Sequence, residues 1–429
     1  MADTIFALSS GAPPAGVAVI RISGPDAGEA LQRIAGVLPK SRRATLRKLR
    51  NPADGSELDR ALILWMPGPS SATGEDCAEL HLHGGRAVVA AVEAVLGHRP
   101  GLRRAESGEF TRRAFANGLI DLAEAEGLAD LLTAETELQR QAAMAMAGGA
   151  LSRQVDEWRE QVLGLSAAIE ATLDFSDEGE VGEDLPPGFV ERCDAVSAQI
   201  GAWLARPRAE PLREGLRVVL AGPPNAGKST LFNALVEHEA AITAPEAGTT
   251  RDVLTSSVSL DGLPFVFIDT AGLRDDEVGH VEAIGIGRAK AEADRADLVF
   301  WLGGEGQGPD VACLWEISAQ ADRADLPAKI DPRHRVSAMS GAGMTALRGD
   351  LVAFARSALP RPGNSALNAR QHRLLGQVHE SLSSLFGVSD PILCAEGLRD
   401  ARSALDRLVG RTGVEDMLDA LFGRFCIGK

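Results

Sequence analysis

The eight residues Gly222-Pro223-Pro224-Asn225-Ala226-Gly227-Lys228-Ser229 constrain this chain more than any other stretch. They fit G-x-x-x-x-G-K-[ST], a loop whose successive backbone N–H groups cradle phosphates. The apolar run Leu216–Ala221 before it reads as a strand, and Thr230–Leu235 after it as the start of a helix. The loop therefore sits between a strand and a helix, where the positive end of the helix faces an anion. Gly222, Asn225, Ala226, Gly227 and Thr230 supply backbone to the phosphates. Lys228 reaches the β- and γ-phosphate oxygens, and the Ser229 hydroxyl takes a position on Mg²⁺.

Downstream spacing narrows the nucleotide. Gly248-Thr249-Thr250-Arg251-Asp252 precedes a strand, and a threonine there closes over the γ-phosphate and adds a hydroxyl to Mg²⁺. Thr250 is assigned that role, with Thr249 as the second choice. The β-rich run Phe265–Asp269 ends in D-x-x-G, so Asp269 holds Mg²⁺ through water and the Gly272 N–H senses the γ-phosphate. The guanine-reading N-K-x-D pattern survives only in part. After the expected strand Cys313–Ile317 the chain reads Ala319-Gln320-Ala321-Asp322, keeping the aspartate that accepts from guanine N1 and N2. Val336-Ser337-Ala338-Met339-Ser340-Gly341-Ala342-Gly343 then fits a loop whose backbone at Ser337 and Ala338 supports guanine O6. GTP is the expected nucleotide, in a base pocket less selective than a complete motif gives.

A chain of 429 residues holds two to four domains at ~100–200 residues each. The fold class expected is multidomain α/β. Residues 1–118 alternate strands (Val17–Ile22, Ala61–Met66, Ala78–His83) with helices as an α+β domain. Residues 119–213 are helical, 214–358 form a doubly wound α/β domain, and 359–429 return to helix, so the α/β domain interrupts a split helical one. An acidic stretch, Asp174 to Asp184, breaks the first helical part, and Leu359–Asn364 reads as a linker. No apolar run nears the ~18 residues that cross a membrane, and no secretion signal is visible. A cytoplasmic protein without membrane contact is expected. Five scattered cysteines lack zinc or redox spacing, and four of them read as buried apolar residues. The net charge of −16 argues against a nucleic-acid binder, yet residues 1–115 carry fifteen Lys and Arg against twelve Asp and Glu. Lys40, Arg42, Arg43, Arg47, Lys48 and Arg50 cluster there. They form either a solvated loop face or a contact for an anionic ligand or RNA.

The assembled motifs resemble the MnmE (TrmE) family of tRNA-modification GTPases from end to end. The resemblance is carried by Arg21-Ile22-Ser23-Gly24, Thr73-Gly74-Glu75-Asp76, His83-Gly84-Gly85 and Gly108 to Phe115. It is carried further by Asp121 to Glu126, the nucleotide motifs, and the terminal Cys426-Ile427-Gly428-Lys429. It implies an N-terminal folate-binding and dimerisation domain, a split helical domain and an inserted G domain. It also implies a homodimer that forms a heterotetramer with an FAD-dependent MnmG-type partner. Together they modify C5 of the wobble uridine of certain tRNAs, a carboxymethylaminomethyl-type change. The one-carbon unit would come from 5-formyltetrahydrofolate or a related tetrahydrofolate. By the same resemblance a potassium ion takes the place of an arginine finger, held by Asn225 and by Ala244, Glu246 and Thr249. It is complete only when two G domains face each other. Glu282 positions the attacking water, Arg21, Glu79 and Lys429 bind folate, and Cys426 serves the modification chemistry. The chain departs from the family in Ala319 and Gln320 and in Leu119, where a lysine is the rule. The competing reading is a nucleotide-switched ribosome-assembly or scaffold GTPase with weakened guanine specificity. It explains the α/β domain alone.

Overall fold

The computed structural model describes residues 3–175, 185–237, 254–270, 291–323, 329–361, 366–412 and 415–428. The chain divides into two compact units, Met1–Ala129 with Asp406–Lys429, and Asp130–Leu405.

The first unit is a six-stranded sheet made of β1 (Thr4–Leu8), β2 (Ala15–Ser23), β3 (Thr45–Arg50), β4 (Glu57–Met66), β5 (Cys77–Gly84) and β6 (Leu102–Arg104). The order is β3-β4-β5-β2-β1-β6. Neighbours run antiparallel except β1 with β6. Alternation decides the faces. Ala18, Ile20 and Ile22 of β2 are buried with Leu80 and Leu82 of β5 and Ile63 of β4. Helices α1 (Ala27–Ala35) and α2 (Arg86–Gly97) cover that face through Leu31, Ile34, Val92 and Leu96. The other face carries Arg21 and Glu79. It is closed near β1 by Phe110 of α3 (Glu109–Ala116), which packs with Ile5 and Ala7. Leu122 and Ala125 of α4 (Leu122–Leu132) meet Phe422 and Phe425 from the far end of the chain.

Helices α5 (Glu137–Ala147), α6 (Ala150–Phe175) and α7 (Phe189–Leu204) open the second unit. A capping box at Thr136, reciprocated by Gln139, fixes the start of α5. The short α8 (Glu210–Glu214) leads into a second sheet of β7 (Leu216–Ala221), β8 (Leu254–Leu260), β9 (Leu263–Asp269), β10 (Leu298–Trp301), β11 (Leu314–Ser318) and β12 (His334–Arg335). Its order is β12-β11-β10-β7-β9-β8, parallel but for the β8–β9 hairpin. Every residue of β9 is buried, as expected of a central strand covered on both faces. Helices α9 (Lys228–Val236) and α10 (Met344–Ala358) complete the α/β layer, with Leu231, Leu235, Leu347 and Leu351 in its core.

Helix α11 (Ala369–Ser383) follows the α/β layer yet packs on α7, which precedes it. The Ser197 hydroxyl lies 2.9 Å from His379 Nδ1 and 3.1 Å from Ser383 Oγ. The fully buried Trp158 of α6 meets Trp203 of α7 edge-on at 5.9 Å and donates to Gln199. Helices on both sides of the insert thus share one core, which is the split helical domain the periodicity predicts.

Two local readings change. Part of the basic cluster is not loop but β3, an edge strand. Cys77, Cys193 and Cys394 are buried, whereas Cys313 is only half-buried and Cys426 is exposed. Most of the acidic stretch and Pro362–Asn364 of the linker lie outside the described residues. Among the described residues no helix is long and apolar enough to cross a membrane.

Candidate functional site

Strand β7 delivers the phosphate loop, and α9 starts at Lys228 within it. The loop closes because three of its residues take positive φ, Gly222 at 150° among them. Asn225 stands at φ 60° and Gly227 at φ 90°. A Cβ at Gly227 would sit 3.2 Å from the flexible Gln320 side chain, a tight approach that a small shift relieves, so it is the dihedral that calls for glycine. Lys228 is 6% exposed, and its ammonium donates to the carbonyls of Gly222 and Pro223 at 2.9 and 2.8 Å. That folds the cation over the loop where phosphate oxygens would lie. Ala226 packs against the core beneath, and Thr230 is exposed on the first turn of α9.

Register brings the second motif to the first. Leu220 of β7 pairs with Asp269 of β9, so the buried Asp269 ends its strand beside the loop. The Ser229 hydroxyl donates to Asp269 Oδ2 at 2.5 Å, and the Thr270 hydroxyl donates to the Leu220 carbonyl at 2.8 Å. A hydroxyl and a carboxylate on adjacent elements are the hard oxygen donors that Mg²⁺ takes, so these residues fit that ion.

Opposite the loop, Ala319 and Gln320 follow β11 and pack on Gly227. Gln320 is itself left-handed at φ 57°, and its amide donates to the Asn225 carbonyl at 3.3 Å. The motif's missing lysine is thus replaced by a neutral clamp on the phosphate loop. The sequence by itself shows only the loss of the lysine. The Asp322 side chain is exposed, and a hydrogen bond from the Ser337 hydroxyl holds its carboxyl below the usual range. Asp322 is therefore an ionised acceptor at neutral pH. Ser337 is fully buried, the Ala321 N–H donates to Val336 at 3.0 Å, and the Ser337 N–H donates to Ala342 at 2.9 Å. The first bond joins the two base loops and the second closes the Ser337 loop on itself, with Ala338 half-buried beside them. Ala244, Glu246, Thr249, Thr250, Gly272, Glu282 and Lys429 lie outside the described residues.

The first unit carries a second constellation. Arg21 on β2 stands directly opposite Glu79 on β5, and the two pair at 3.0 Å. The Arg21 guanidinium also lies over the Phe110 ring at 5.6 Å. Glu79 Oε2 reaches His81 Nε2 at 3.1 Å, which adds an imidazole that sequence reasoning missed. Two residues along one strand share a face, so the signal was the His81 spacing itself. Nearby, the half-buried Arg113 holds Glu75 at 2.9 Å, Asp3 at 2.9 Å and Glu109 at 3.2 Å. The tail reaches the same sheet. Ile427 bridges to Ser107, and Gly428 lies so close to Leu8 that a Cβ would come within 2.0 Å of its carbonyl. Leu8 ends β1, the strand next to Arg21's own. Cys426 is exposed just before this contact.

Comparison with known proteins agrees with this layout. Residues 4–119 match the family model of the GTP-binding protein TrmE N-terminus, and residues 122–426 match that of the MnmE helical domain. The tRNA modification GTPase MnmE of Novosphingobium aromaticivorans is 64% identical over 437 residues, with the whole of both chains covered. That of Erythrobacter litoralis is 60% identical over 427 residues, again with both chains covered in full. That of Rhizorhabdus wittichii is 58% identical over 429 residues, covering all of this chain and 97% of the relative. The helical match spans the α/β insert, so the phosphate loop with its Asp269 partner lies where this family carries its GTPase. The chain belongs to the MnmE (TrmE) family of tRNA modification GTPases.

Proposed function

We propose that this tRNA modification GTPase acts on C5 of the wobble uridine of certain tRNAs. It would do so as a homodimer joined to an FAD-dependent MnmG-type partner, with 5-formyltetrahydrofolate or a related tetrahydrofolate giving the one-carbon unit. The carboxymethylaminomethyl-type product is the expected outcome. The observation that supports the hydrolase half best is the direct Ser229–Asp269 contact, in a loop whose own carbonyls hold the Lys228 ammonium. Phosphoryl transfer depends mainly on positioning and charge stabilisation, and this arrangement supplies both. Lys228 and the loop backbone orient the β- and γ-phosphates. Ser229 and Thr250 would hold Mg²⁺ directly and Asp269 through water, and the ion would neutralise charge on the phosphate oxygens. Gly272 would sense the γ-phosphate, and Glu282 would orient the attacking water. Asn225, with backbone at Ala244, Glu246 and Thr249, would hold potassium. Asp322 would accept from the guanine edge, with Ser337 and Ala338 beside O6.

The carboxylate of Glu79 suits the amine edge of a pterin, while Arg21 and Lys429 suit the anionic tail of a folate. Cys426 is exposed at the same sheet, available to the one-carbon chemistry. The test has two arms. GTP turnover is measured in matched KCl and NaCl, where equal rates reject the potassium assignment. Wobble-uridine nucleosides are then analysed in a deletion strain complemented with this chain. Unmodified uridine in the complemented strain rejects the tRNA assignment.

A further inference from the structure

Residues 30–53 hold seven Lys and Arg and no Asp or Glu, in a chain whose net charge is −16. The fold does not disperse these cations. The segment leaving α1 turns back into the edge strand β3, and together they line an open surface groove of about 590 Å³. Val37, Leu38 and Pro39 form one side, and Lys40, Arg43 and Arg47 supply the charge. The other cations of the cluster are engaged elsewhere. Lys48 and Arg50 both reach Glu57, and Arg42 donates to the Ser70 carbonyl. Lys40, Arg43 and Arg47, by contrast, have no carboxylate partner among the described residues; Arg47 donates only to the adjacent Leu46 carbonyl, a long 3.3 Å contact on the exposed surface.

Charges on an edge strand commonly guard it against pairing with another chain. Lys48 and Arg50 suffice for that on β3. Lys40 and Arg43 precede the strand and guard no backbone edge. Three like charges converging on one open groove repel one another unless an anion joins them. A sugar-phosphate backbone, with its repeated charges, can meet three cations along one groove. Val37 at 42% and Leu38 at 37% exposure offer an apolar flank.

We propose that this groove binds the phosphodiester backbone of tRNA, through Lys40, Arg43 and Arg47. The inference rests on the tRNA reading of the whole protein. Its role is to position the substrate, because phosphate contacts fix register and carry no sequence information.

The experiment measures binding of an unmodified tRNA transcript to the full chain by fluorescence anisotropy between about 50 and 200 mM KCl, the span over which phosphate contacts respond strongly. Three phosphate contacts on unpaired RNA contribute roughly −2 to the slope of log K against log salt. K40A/R43A/R47A should lower the slope by about 2 and weaken binding on the order of 100-fold at 0.1 M salt. GTP turnover and the melting midpoint should stay at the wild-type values. The double variant R43A/R47A should show about two thirds of that slope change, which keeps the test valid should the triple variant fold poorly. R373A/R399A, in the other unit, controls for general loss of positive charge and should move the slope little. If wild type binds tRNA and the triple variant binds with equal affinity and slope, the groove assignment is overturned while the tRNA reading stands. If wild type shows no salt-dependent tRNA binding, both are overturned.

Discussion

Gln320 offers the sharpest test of how this G domain works without the usual lysine. Its amide donates to the Asn225 carbonyl at 3.3 Å, slightly beyond the usual N–H···O range, and its Cγ packs on Gly227. A neutral hydrogen bond contributes about 0.5–1.5 kcal/mol net, and this long one belongs in the lower half. With the lost packing, Gln320→Ala should cost about 1 kcal/mol of loop order, or roughly a five-fold loss of nucleotide affinity. The clamp touches the phosphate loop and not the base. Fluorescent GTP, GDP and ATP analogues, titrated against wild type and variant, should therefore all weaken by the same factor. A loss confined to the guanine nucleotides would show that Gln320 reads the base, and an unchanged affinity would show that the clamp does not order the loop. Either result refutes the reasoning.

Other outcomes are open to direct measurement. On the proposed water-positioning role, Glu282→Ala should abolish single-turnover GTP hydrolysis while a filter-binding assay shows GTP affinity within about two-fold of wild type, the pattern of a group used only in the transition state. Trp158→Ala should lower unfolding stability by about 3–5 kcal/mol in urea titration, because a fully buried ring and its edge-on contact with Trp203 are both lost. Burial pushes the Cys193 thiol up to about 11, so a thiol reagent at pH 8 should label the exposed Cys426 first and leave Cys193 unreacted until the protein unfolds. Burial alone would raise the Glu109 carboxyl, but the Arg103 and Arg113 guanidiniums and the Glu106 N–H hold it below the usual range. A depressed carboxyl stabilises above its unfolded value near 4.5 and loses that contribution as pH falls through the folded value. Acid unfolding of Arg113→Ala should therefore begin at higher pH than that of wild type, as followed by circular dichroism.

The fold was readable where one element declares itself locally. The run Leu216–Ala221 and the glycine loop after it gave β7 and α9 because an apolar strand and a helix start need no distant partner. The split helical domain was readable from the change of period on either side of the insert, although the Ser197–His379 contact that joins its halves was not. Strand β3 was hidden, since Arg47, Lys48 and Arg50 mask the alternation that marks a half-buried strand, and only Leu49 is buried. The Arg21–Glu79 pair spans 58 positions, and register alone brings it together. Each residue was a candidate separately, but their contact, and His81 beside it, belong to the sheet. In the base pocket the sequence showed which letters were missing. It could not show that a glutamine amide had taken up the loop's carbonyl, because that depends on the left-handed backbone at both Gln320 and Asn225.

The tail's seat beside β1 has a consequence for synthesis. The first unit needs residues from both sides of Asp130–Leu405, so its sheet emerges from the ribosome long before Phe422, Phe425 and Gly428 can reach it. At roughly 5–20 residues per second that interval is about 15–55 s. Through it Leu122 and Ala125 wait without their aromatic cover. A product stopped anywhere in between keeps that apolar patch uncovered and open to quality control.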